Sequence, residues 1–436
     1  CDTYYDCNGE CGGSAMLDGC GTCDSDPSND CPTDCGGVPG GAELYDACGN
    51  CDDDPSNDCN VIGTLALGGF GSAGLEVHND RAYIYQRRWV VTETVPGFTE
   101  AKLTSFYTVA NVADVTAPVE IETLDADGRV RDMGFAHASN IAYQAHTPYG
   151  LTVHFLNVDG NPVSETGYPP VGNVQPFDIE NAPSGEYYAT TAVHLRERAN
   201  DDPNTVIATA LFSQIQAAND TDNNAHIEFI DVCDPYRDDC YNAASGVNLL
   251  ADPATVGQLA LPGASAWDII YQGNYVYVAN GSAGLTVVQM SADGTSASIV
   301  AEVALTVPDT ASLDPFATAL DIQGDMIVVT AGSTIEVYDI TNPADPASVA
   351  VFETTWSKDV SIHTRTVAGQ TQRRIYMADN WAGIRVYEAS DINEITEIGV
   401  LYLPDNSAAS GLVVPNEGNT AYVTTMDYFF TVQLGF

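Results

Sequence analysis

The chain has 436 residues, and its 60 Asp and Glu against 14 Lys and Arg give a formal net charge of −46. A surface this acidic repels nucleic acid and anionic lipid, so both are disfavoured as partners. Hydrophobic residues make up 44% of the chain, enough for a sizeable core, and no run approaches the ~18 consecutive apolar residues of a membrane-spanning helix.

Cysteines dominate the beginning of the chain: ten of the twelve fall between Cys1 and Cys59. The other two, Cys233 and Cys240, enclose the short stretch "CDPYRDDC". An even number of cysteines clustered in short loops favours disulfides formed in an oxidising compartment. A chain that begins with Cys rather than Met is typical of a protein whose leader has been removed. We therefore expect an extracellular, cell-surface location.

Residues 1–59 contain two copies of a 28-residue unit and form the first predicted domain. "CGTCDSDPSNDC" in the first copy matches "CGNCDDDPSNDC" in the second, and Asp6-Cys7 matches Asp34-Cys35. Neither copy has enough apolar residues for a core, so disulfides or metal ions must hold it together. Each unit has four cysteines, which allow three pairings, and the spacing does not choose among them. These cysteines are Cys7, Cys20, Cys23 and Cys31, then Cys35, Cys48, Cys51 and Cys59.

Asp and Asn crowd the loop between the last two cysteines of each unit. The candidate metal ligands are Asp24, Asp26, Asn29 and Asp30, then Asp52, Asp54, Asn57 and Asp58. Calcium takes about six to eight oxygen ligands in flexible geometry, and alternating Asp residues supply several of them from one short loop. The stretch resembles the Asp-rich calcium repeats of the thrombospondin type 3 class, which implies Ca²⁺ as the cofactor. It differs from that class in having Pro-Ser-Asn where a glycine usually makes the turn.

Two alternatives stay open for these units. Asp residues are also common as solvated turn formers, and the two Cys-x-x-Cys pairs, Cys20–Cys23 and Cys48–Cys51, are typical of zinc sites. Cys1 and Cys11 lie outside the repeated set. Either they bond to each other, which we favour, or Cys1 carries a lipid as in bacterial and archaeal lipoproteins. The lipid would be the only membrane attachment that the sequence predicts.

Residues 60–436 form the second predicted domain, in which short alternating strands and turns recur. The clearest copies are "NYVYVANGSAGLTVVQMS" from Asn274 and "RRIYMADNWAGIRVYEAS" from Arg373, with a third from Asp325. Repeats of about 40 to 55 residues are typical of four-stranded propeller blades. The strong copies resemble the LVIVD-type repeat of bacterial and archaeal β-propellers. The expected fold is all-β, with seven units beginning near Ala73, Arg129, Phe177, Ala266, Phe316, Trp356 and Ala408.

The last unit stops after its third strand, and its fourth is predicted at the other end of the chain. "VIGTLALGG" (Val61–Gly69) is similar to the outer strands "TVGQLALPG" (Thr255–Gly263) and "EIGVLYLPD" (Glu397–Asp405). We therefore expect a seven-bladed propeller closed by an N-terminal strand, which would remove exposed sheet edges. The third unit is enlarged and contains the Cys233–Cys240 loop.

An Asp recurs on the expected innermost strand of five units: Asp132, Asp178, Asp268, Asp321 and Asp359. These residues either form a carboxylate ring that holds a cation in the channel, or accept hydrogen bonds from the backbone between blades. The recurrence favours the second role, because a catalytic site needs different residues from different blades. No HExxH, GxSxG or glycine-rich phosphate loop occurs. Asn219 and Asn280 begin glycosylation sequons.

Aromatic residues near turns, including Trp381, Phe429 and Phe430, suit either interface anchors or fillers between blades. Taken together, the sequence predicts a non-catalytic extracellular protein that acts in binding or assembly. It would be an adhesin-like module or the subunit of a filament, with a second copy of itself, another surface protein or a glycan as partner. The alternative is a metal-dependent hydrolase or lactonase that uses the channel carboxylates.

Overall fold

Short hairpins and four-stranded sheets make up a computed structural model of this chain. The model describes residues 5–17, 22–25, 34–38, 41–47, 51–53, 59–68, 70–95, 98–126, 129–135, 141–147, 150–155, 172–174, 187–196, 206–215, 225–232, 241–242, 247–248, 254–263, 265–292, 294–306, 315–367, 370–415 and 419–434. One 3₁₀ turn, Pro404–Asn406, interrupts the strands of this part of the chain. No helix within it is long and apolar enough to cross a membrane.

The two N-terminal units repeat each other in structure. Each contains one small antiparallel hairpin, and the paired positions are 28 residues apart. Disulfides Cys7–Cys23 and Cys35–Cys51 join equivalent positions, and Cys11 and Cys59 are also disulfide-bonded. The strands are β1 (Met16–Leu17), β2 (Cys23–Asp24), β3 (Leu44–Tyr45) and β4 (Cys51–Asp52). The other predicted disulfide residues, Cys1, Cys20, Cys31, Cys48, Cys233 and Cys240, lie outside the described residues.

A capping aspartate explains why each unit begins with Asp-Cys. The Asp6 Oδ1 atom accepts hydrogen bonds from the backbone N–H groups of Asn8 (3.0 Å) and Glu10 (2.8 Å). In the second unit Asp34 Oδ1 accepts the Val38 N–H at 2.7 Å. An Asp that accepts backbone N–H groups two to four residues later stabilises a turn in place of regular structure.

Strands β6 to β13 form the first two sheets, and β5 belongs to the seventh sheet. The first sheet has the order β6-β7-β8-β9 and the second β10-β11-β12-β13. In the first sheet, the hairpin β7–β8, with strands of 15 and 14 residues, is the longest among the described strands. The bounds are β5 (Asn60–Ala66), β6 (Phe70–His78), β7 (Arg81–Val95), β8 (Phe98–Asn111), β9 (Val119–Ala126), β10 (Arg129–Phe135), β11 (Ile141–Thr147), β12 (Gly150–Phe155) and β13 (Gly172–Val174).

The third sheet carries an inserted hairpin, and the fourth is regular. Strands β17 and β18 pair with each other between β16 and β19, so the third sheet has the order β14-β15-β16-β19. The fourth has the order β20-β21-β22-β23. The bounds are β14 (Tyr187–Arg196), β15 (Val206–Ile215), β16 (His226–Val232), β17 (Tyr241–Asn242), β18 (Val247–Asn248), β19 (Ala254–Ala260), β20 (Asp268–Gln272), β21 (Tyr275–Ala279), β22 (Leu285–Met290) and β23 (Ala297–Val303).

The fifth sheet has the order β24-β25-β26-β27 and the sixth the order β28-β29-β30-β31. The seventh sheet takes its fourth strand from the start of the chain. Its order is β32-β33-β34-β5, with Phe430 opposite Thr64. The bounds are β24 (Ala319–Gln323), β25 (Met326–Thr330), β26 (Thr334–Asp339), β27 (Ala347–Glu353), β28 (Asp359–Val367), β29 (Gln370–Ala378), β30 (Ile384–Glu388), β31 (Thr396–Leu401), β32 (Gly411–Val413), β33 (Thr420–Thr424) and β34 (Tyr428–Gln433).

Apolar clusters lie between consecutive sheets and hold them face to face. Along the second strand of the fifth sheet, Ile327 and Val329 pack toward the fourth sheet, whereas Met326 and Val328 pack toward the sixth. This follows from the two-residue period of a strand, and it explains why β25 is buried at every position. The first strands contact one another in the order β6, β10, β14, β20, β24, β28, β32 and again β6.

The second N-terminal unit packs against the seventh sheet. Cys59 is 5% exposed and belongs to the apolar cluster between the sixth and seventh sheets, against which Ala47 also packs. The Asp46 carboxylate accepts the Cys59 N–H at 2.9 Å. The segment before β5 therefore has a defined attachment to the large domain.

Candidate functional site: the carboxylate-lined channel

A cavity of about 690 Å³ lies where the first strands of the described sheets converge. Residues from β6, β10, β14, β20, β24, β28 and β32 line it. Side chains that point inward from these first strands therefore share one space. The cavity collects most of the ionisable residues that the sequence predicted for the channel.

Four of the predicted aspartates have the same double hydrogen bond. In each, Oδ1 accepts the N–H of the next residue and Oδ2 accepts an N–H from the first strand of the following sheet. The Oδ1 donors are Met133 (2.8 Å) for Asp132, Ile269 (2.8 Å) for Asp268, Ile322 (2.7 Å) for Asp321 and Val360 (2.9 Å) for Asp359. The Oδ2 donors, in the same order, are Val193 (2.9 Å), Leu320 (2.9 Å), Ile362 (2.6 Å) and Leu412 (2.8 Å).

These carboxylates link neighbouring sheets at the edge of the cavity. An Asp carboxylate that faces two fixed N–H groups, one at each oxygen, satisfies backbone donors that would otherwise lie unpaired beside the channel. They lie at two levels along the strands: Asp268 is opposite Ala279, whereas Asp321 is two residues further, opposite Val328. Asp178, the fifth predicted member, lies outside the described residues.

Glu76 is a fifth cavity carboxylate that the sequence analysis missed. It lies on β6 and lines the cavity with the four aspartates. Among the described residues, none forms a hydrogen bond or ion pair with its carboxylate. Its signal was present in the sequence: counted back from the hairpin turn, Glu76 precedes Asn79-Asp80 by the same distance as Asp321 precedes Gly324-Asp325. The repeated residue is Asp in five other units, so the repeat does not indicate the Glu at the equivalent position.

The five acids interact through the cavity. Burial raises the pKa of Asp132 to about 6, of Asp321 to about 6 and of Asp359 to about 7, against the backbone hydrogen bonds that lower each of them. The pKa of Asp268 and that of Glu76 are raised well above their ordinary values, first by burial and then by the neighbouring carboxylates. The cavity is thus a region of strong negative potential in which protons are bound more tightly than in water.

Aromatic and histidine side chains line another part of the cavity. The His78 ring stacks on Phe135 with centroids 4.7 Å apart, and His194 lies 5.9 Å from Tyr271. Burial lowers the pKa of His194 to about 4, so this imidazole is neutral at pH 7. Arg196 also lines the cavity, and its guanidinium donates to Asn274 Oδ1 at 2.7 Å and to the Ala292 carbonyl at 3.2 Å.

The described carboxylates of the channel do not form a compact metal site. Within the described residues, one group of three acid, histidine or cysteine side chains has ligand atoms within 4.8 Å of one another: Cys35, Glu43 and Cys51. Because Cys35 and Cys51 are joined in a disulfide, their sulfur atoms are not thiolates and only Glu43 remains as a strong ligand.

Most of the predicted calcium ligands cannot be placed. Asp24 ends β2 and Asp52 ends β4, so both occupy the same position in their units. The other six, Asp26, Asn29, Asp30, Asp54, Asn57 and Asp58, lie outside the described residues. The calcium site therefore stays a prediction.

The structure speaks against glycosylation at Asn280. Its side chain is fully buried, and its amide nitrogen donates to the Pro262 carbonyl at 2.5 Å and to Thr286 Oγ1 at 3.1 Å. A sequon asparagine must present this nitrogen at the surface, whereas here the amide stabilises the turn after β21. Asn219 lies outside the described residues.

Comparison with known proteins agrees with this architecture. Residues 263–298 match the LVIVD repeat, and no curated protein matches the chain. A crystal structure of the Myceliophteria thermophila Cps50 (Swd1) β-propeller domain superposes with a TM-score of 0.50 at 10% identity, over 86% of this chain and 99% of that one. The WD40 β-propeller domain of Doa1 has a TM-score of 0.50 at 9% identity, over 86% and 97%. The fold is a β-propeller.

A periplasmic enzyme is also among the similar structures. The Pseudomonas aeruginosa periplasmic gluconolactonase PpgL has a TM-score of 0.50 at 12% identity, over 74% of this chain and 81% of that one. Likeness at this level of identity concerns the fold alone, since unrelated functions occur on the same propeller scaffold.

Proposed function

We propose that this chain is a non-catalytic extracellular surface protein that acts in binding or assembly, as an adhesin-like module or as a filament subunit. Its body would be a seven-bladed propeller closed by β5, and residues 1–59 would form a segment stabilised by disulfides and calcium. The observation that carries the proposal is the repeated bonding of Asp132, Asp268, Asp321 and Asp359. Four equivalent carboxylates that all accept backbone N–H groups are joints between blades rather than the mixed constellation that catalysis needs.

The contacts between first strands support the closed ring. They run through all seven described sheets and return from β32 to β6, while β5 supplies the outer strand of the last sheet. A ring shut in this way leaves only short, protected sheet edges, which suits a protein that must survive outside the cell.

The disulfides support an oxidising compartment. Two bonds with the same separation of 16 residues recur in the two units, as expected for small extracellular segments that lack an apolar core. Calcium would bind to the Asp-rich loops beside these bonds and reduce the repulsion of a chain with a net charge of −46.

Two measurements on the full chain test the proposal. Electron microscopy with and without calcium should reveal ordered assemblies or, with candidate partners, specific complexes. Intact mass before and after reduction should report the disulfides, a lipid on Cys1 and any glycan together. Dispersed monomers that bind neither protein nor glycan with calcium present would contradict the proposal.

A metal-dependent hydrolase or lactonase is the second candidate, and Glu76 is the observation that favours it. This carboxylate faces the cavity and, among described residues, has no hydrogen-bond partner, so it is available to a ligand in a way that the four aspartates are not. A propeller of similar fold is a gluconolactonase. Hydrolysis of sugar lactones by the wild-type chain with added divalent metal, abolished in Glu76→Gln, would establish this candidate and displace the first.

A further inference from the structure

Large exposed apolar side chains gather on one face of the described sheets. In each sheet, this face carries the turn between the second and third strands and the connection that leads into the first strand. We call it the turn face. Its members are Trp267, Trp356, Trp381, Tyr402 and Met426, which are 36%, 43%, 65%, 71% and 47% exposed. Single exposed apolar residues are ordinary, but several aromatic residues on one face indicate an interaction surface.

Three of these residues surround a single turn of the sixth sheet. Trp381 lies in the turn between β29 and β30, which Asp379 closes by donating its N–H to the Gly383 carbonyl at 2.8 Å. Trp356 donates its backbone N–H to the Asp379 carboxylate at 2.8 Å. Tyr402 follows β31, and a Cβ atom on Gly383 would lie 3.1 Å from the Tyr402 Cα. We call Trp356, Trp381 and Tyr402 the aromatic cluster.

Hydrogen bonds to Asp379 hold the backbone beneath the aromatic cluster. Asp379 is fully buried, and its carboxylate accepts hydrogen bonds from Thr355 Oγ1 (2.7 Å) and Arg385 Nε (2.6 Å) in addition to the Trp356 N–H. Arg385 also donates to Glu397 at 3.0 Å. A buried carboxylate with these donors fixes the backbone of the turn and of the connection that carries Trp356. Rigid Trp and Tyr side chains are the usual anchors of protein interfaces.

The cluster carries one of the two lysines of the chain. The Lys358 ammonium lies 5.0 Å from the Trp356 ring centroid, a cation–π contact, and Lys358 is an exposed residue. In a chain with 60 acidic residues, a neutral aromatic patch with an exposed cation is a place where another copy can approach without strong repulsion.

The chain enters β5 from the face opposite the turn face. Strand β5 runs from Asn60, opposite Gln433, to Ala66, opposite Tyr428, and Leu67 donates to the Asp427 carbonyl beside Met426 on the turn face. The start of β5 is therefore about 20 Å from the turn face, since seven residues of strand extend about 3.3 Å each. Cys59 directly precedes that start and packs between the sixth and seventh sheets, so the chain joins the sheets at the end of β5 that is remote from the turn face.

The N-terminal units have the complementary chemistry. They contain fourteen Asp and Glu and no Lys, Arg or His, and they expose Tyr5, Met16 and Val38 to 65%, 78% and 54%. An acidic segment with protruding apolar side chains matches an aromatic surface that carries a lysine. A contact between opposite faces of identical chains is head-to-tail and propagates unless it closes into a ring.

We infer that the aromatic cluster of one molecule binds the N-terminal units of a second copy. This inference rests on the assembly function proposed above and names the two surfaces that would carry it. Trp381 and Tyr402 would supply most of the affinity and Lys358 would orient the acidic segment.

Complementation between two defective full-length chains tests it. Trp381→Ser with Tyr402→Ser removes the acceptor, and Met16→Ser with Val38→Ser removes the donor. We expect each variant to assemble at least about 30-fold more weakly than wild type in sedimentation velocity with calcium, since loss of an interface anchor commonly has this effect. An equimolar mixture should form dimers and stop, because one intact donor and one intact acceptor remain. Val119→Ser with Val351→Ser, which removes exposed apolar residues from outer strands, is the control and should assemble like wild type.

The outcomes separate the inference from the proposed function. If wild type assembles and the acceptor variant assembles equally, the inference is wrong and the assembly function stands. If wild type stays monomeric at every calcium concentration, both the inference and the filament are wrong. If the aromatic cluster instead binds glycans on an array and self-assembly is absent, the surface belongs to a glycan and the inference is overturned.

Discussion

At the scale of single residues, the carboxylates of the channel are of two kinds. Asp321 accepts N–H groups from its own strand and from Ile362 of the next sheet, whereas Glu76 has no hydrogen-bond partner among the described residues. Both are close to other acids, and burial raises the pKa of both. The two residues therefore differ in their hydrogen bonds, which for Asp321 come from the backbone and from Ser361.

This difference predicts opposite effects of mutation. Asp321→Ala leaves two backbone N–H groups without an acceptor and should lower the free energy of unfolding by about 2–4 kcal/mol. Glu76→Gln removes a carboxylate whose charged form is opposed by burial and by four neighbouring carboxylates, so it should raise the free energy of unfolding at pH 8. Urea denaturation of both variants checks the signs. A destabilised Glu76→Gln variant would mean that the carboxylate holds something we have not assigned.

The raised pKa values also predict how stability changes with pH. Asp359 has an ordinary pKa of 3.8 and a pKa of about 7 in the folded chain, so it binds protons more tightly when folded. Its contribution is fully present below about pH 4 and is lost as the pH rises through 7. Asp359→Asn removes the titration and keeps one oxygen acceptor. The wild type should therefore lose stability relative to Asp359→Asn between pH 4 and pH 8, as measured by urea midpoints. A constant difference across that range would contradict the assignment.

At the scale of elements, β5 joins the start of the chain to its last sheet. It is remote in sequence from β34, yet it pairs along its whole length with Tyr428 to Gln433. It also lies close to the first sheet, because Gly63 approaches the Val115 carbonyl and Thr431. The Thr431 hydroxyl donates to the same Val115 carbonyl. Because Gly63 has no side chain, β5, β34 and the connection between β8 and β9 can approach one another closely.

Two glycines of this region form a matched pair for mutation. A Cβ atom on Gly63 would lie 2.4 Å from the Val115 carbonyl oxygen, which is backbone and cannot turn away, whereas none of the described atoms lies within 4 Å of a Cβ on Gly68. Gly63→Ala should lower the free energy of unfolding by about 1–3 kcal/mol, and Gly68→Ala should change it by less than about 1 kcal/mol. Thermal unfolding of both variants tests this. Equal melting temperatures would show that β5 can shift without cost.

At the scale of the whole molecule, the two parts of the chain are stabilised by different interactions. The large domain has apolar clusters between successive sheets, whereas residues 1–59 rely on disulfides and, in our proposal, on calcium. A net charge of −46 should make the N-terminal units more sensitive to loss of cations than the sheets, since they lack a core to oppose the repulsion.

Removal of calcium should therefore act locally. We expect a chelator to speed proteolysis within residues 1–59 at least several-fold while 60–436 stays intact, with magnesium unable to restore protection because it requires tighter geometry. Trypsin cannot report on this, because the segment has no Lys or Arg; a protease specific for Asp, followed by mass spectrometry, can. Unchanged cleavage after chelation would refute calcium as the stabilising ion.

Much of this protein could be predicted from the sequence because repeats encode local structure. The alternation in "DMIVVTAGSTIEVYDI" predicts two strands and a turn, and β25 and β26 lie there. The likeness of Val61–Gly69 to other outer strands predicted a partner in the last unit, and β5 pairs with β34. Equal spacing in the two N-terminal units predicted equal structure, as the hairpins β1–β2 and β3–β4 show.

Other features were decided only by tertiary structure, because they depend on distances between residues remote in the chain. Four cysteines allow three pairings, and the folded structure joins Cys7 to Cys23. Asn280 begins a glycosylation sequon, a motif of surface loops, but its side chain is buried. Phe429 and Phe430 are buried between sheets while Trp381 is exposed, although all three stand near turns. Sequence alone determined which residues alternate and repeat; packing of the sheets around one channel decided which carboxylates meet, and which aromatic residues remain for a partner.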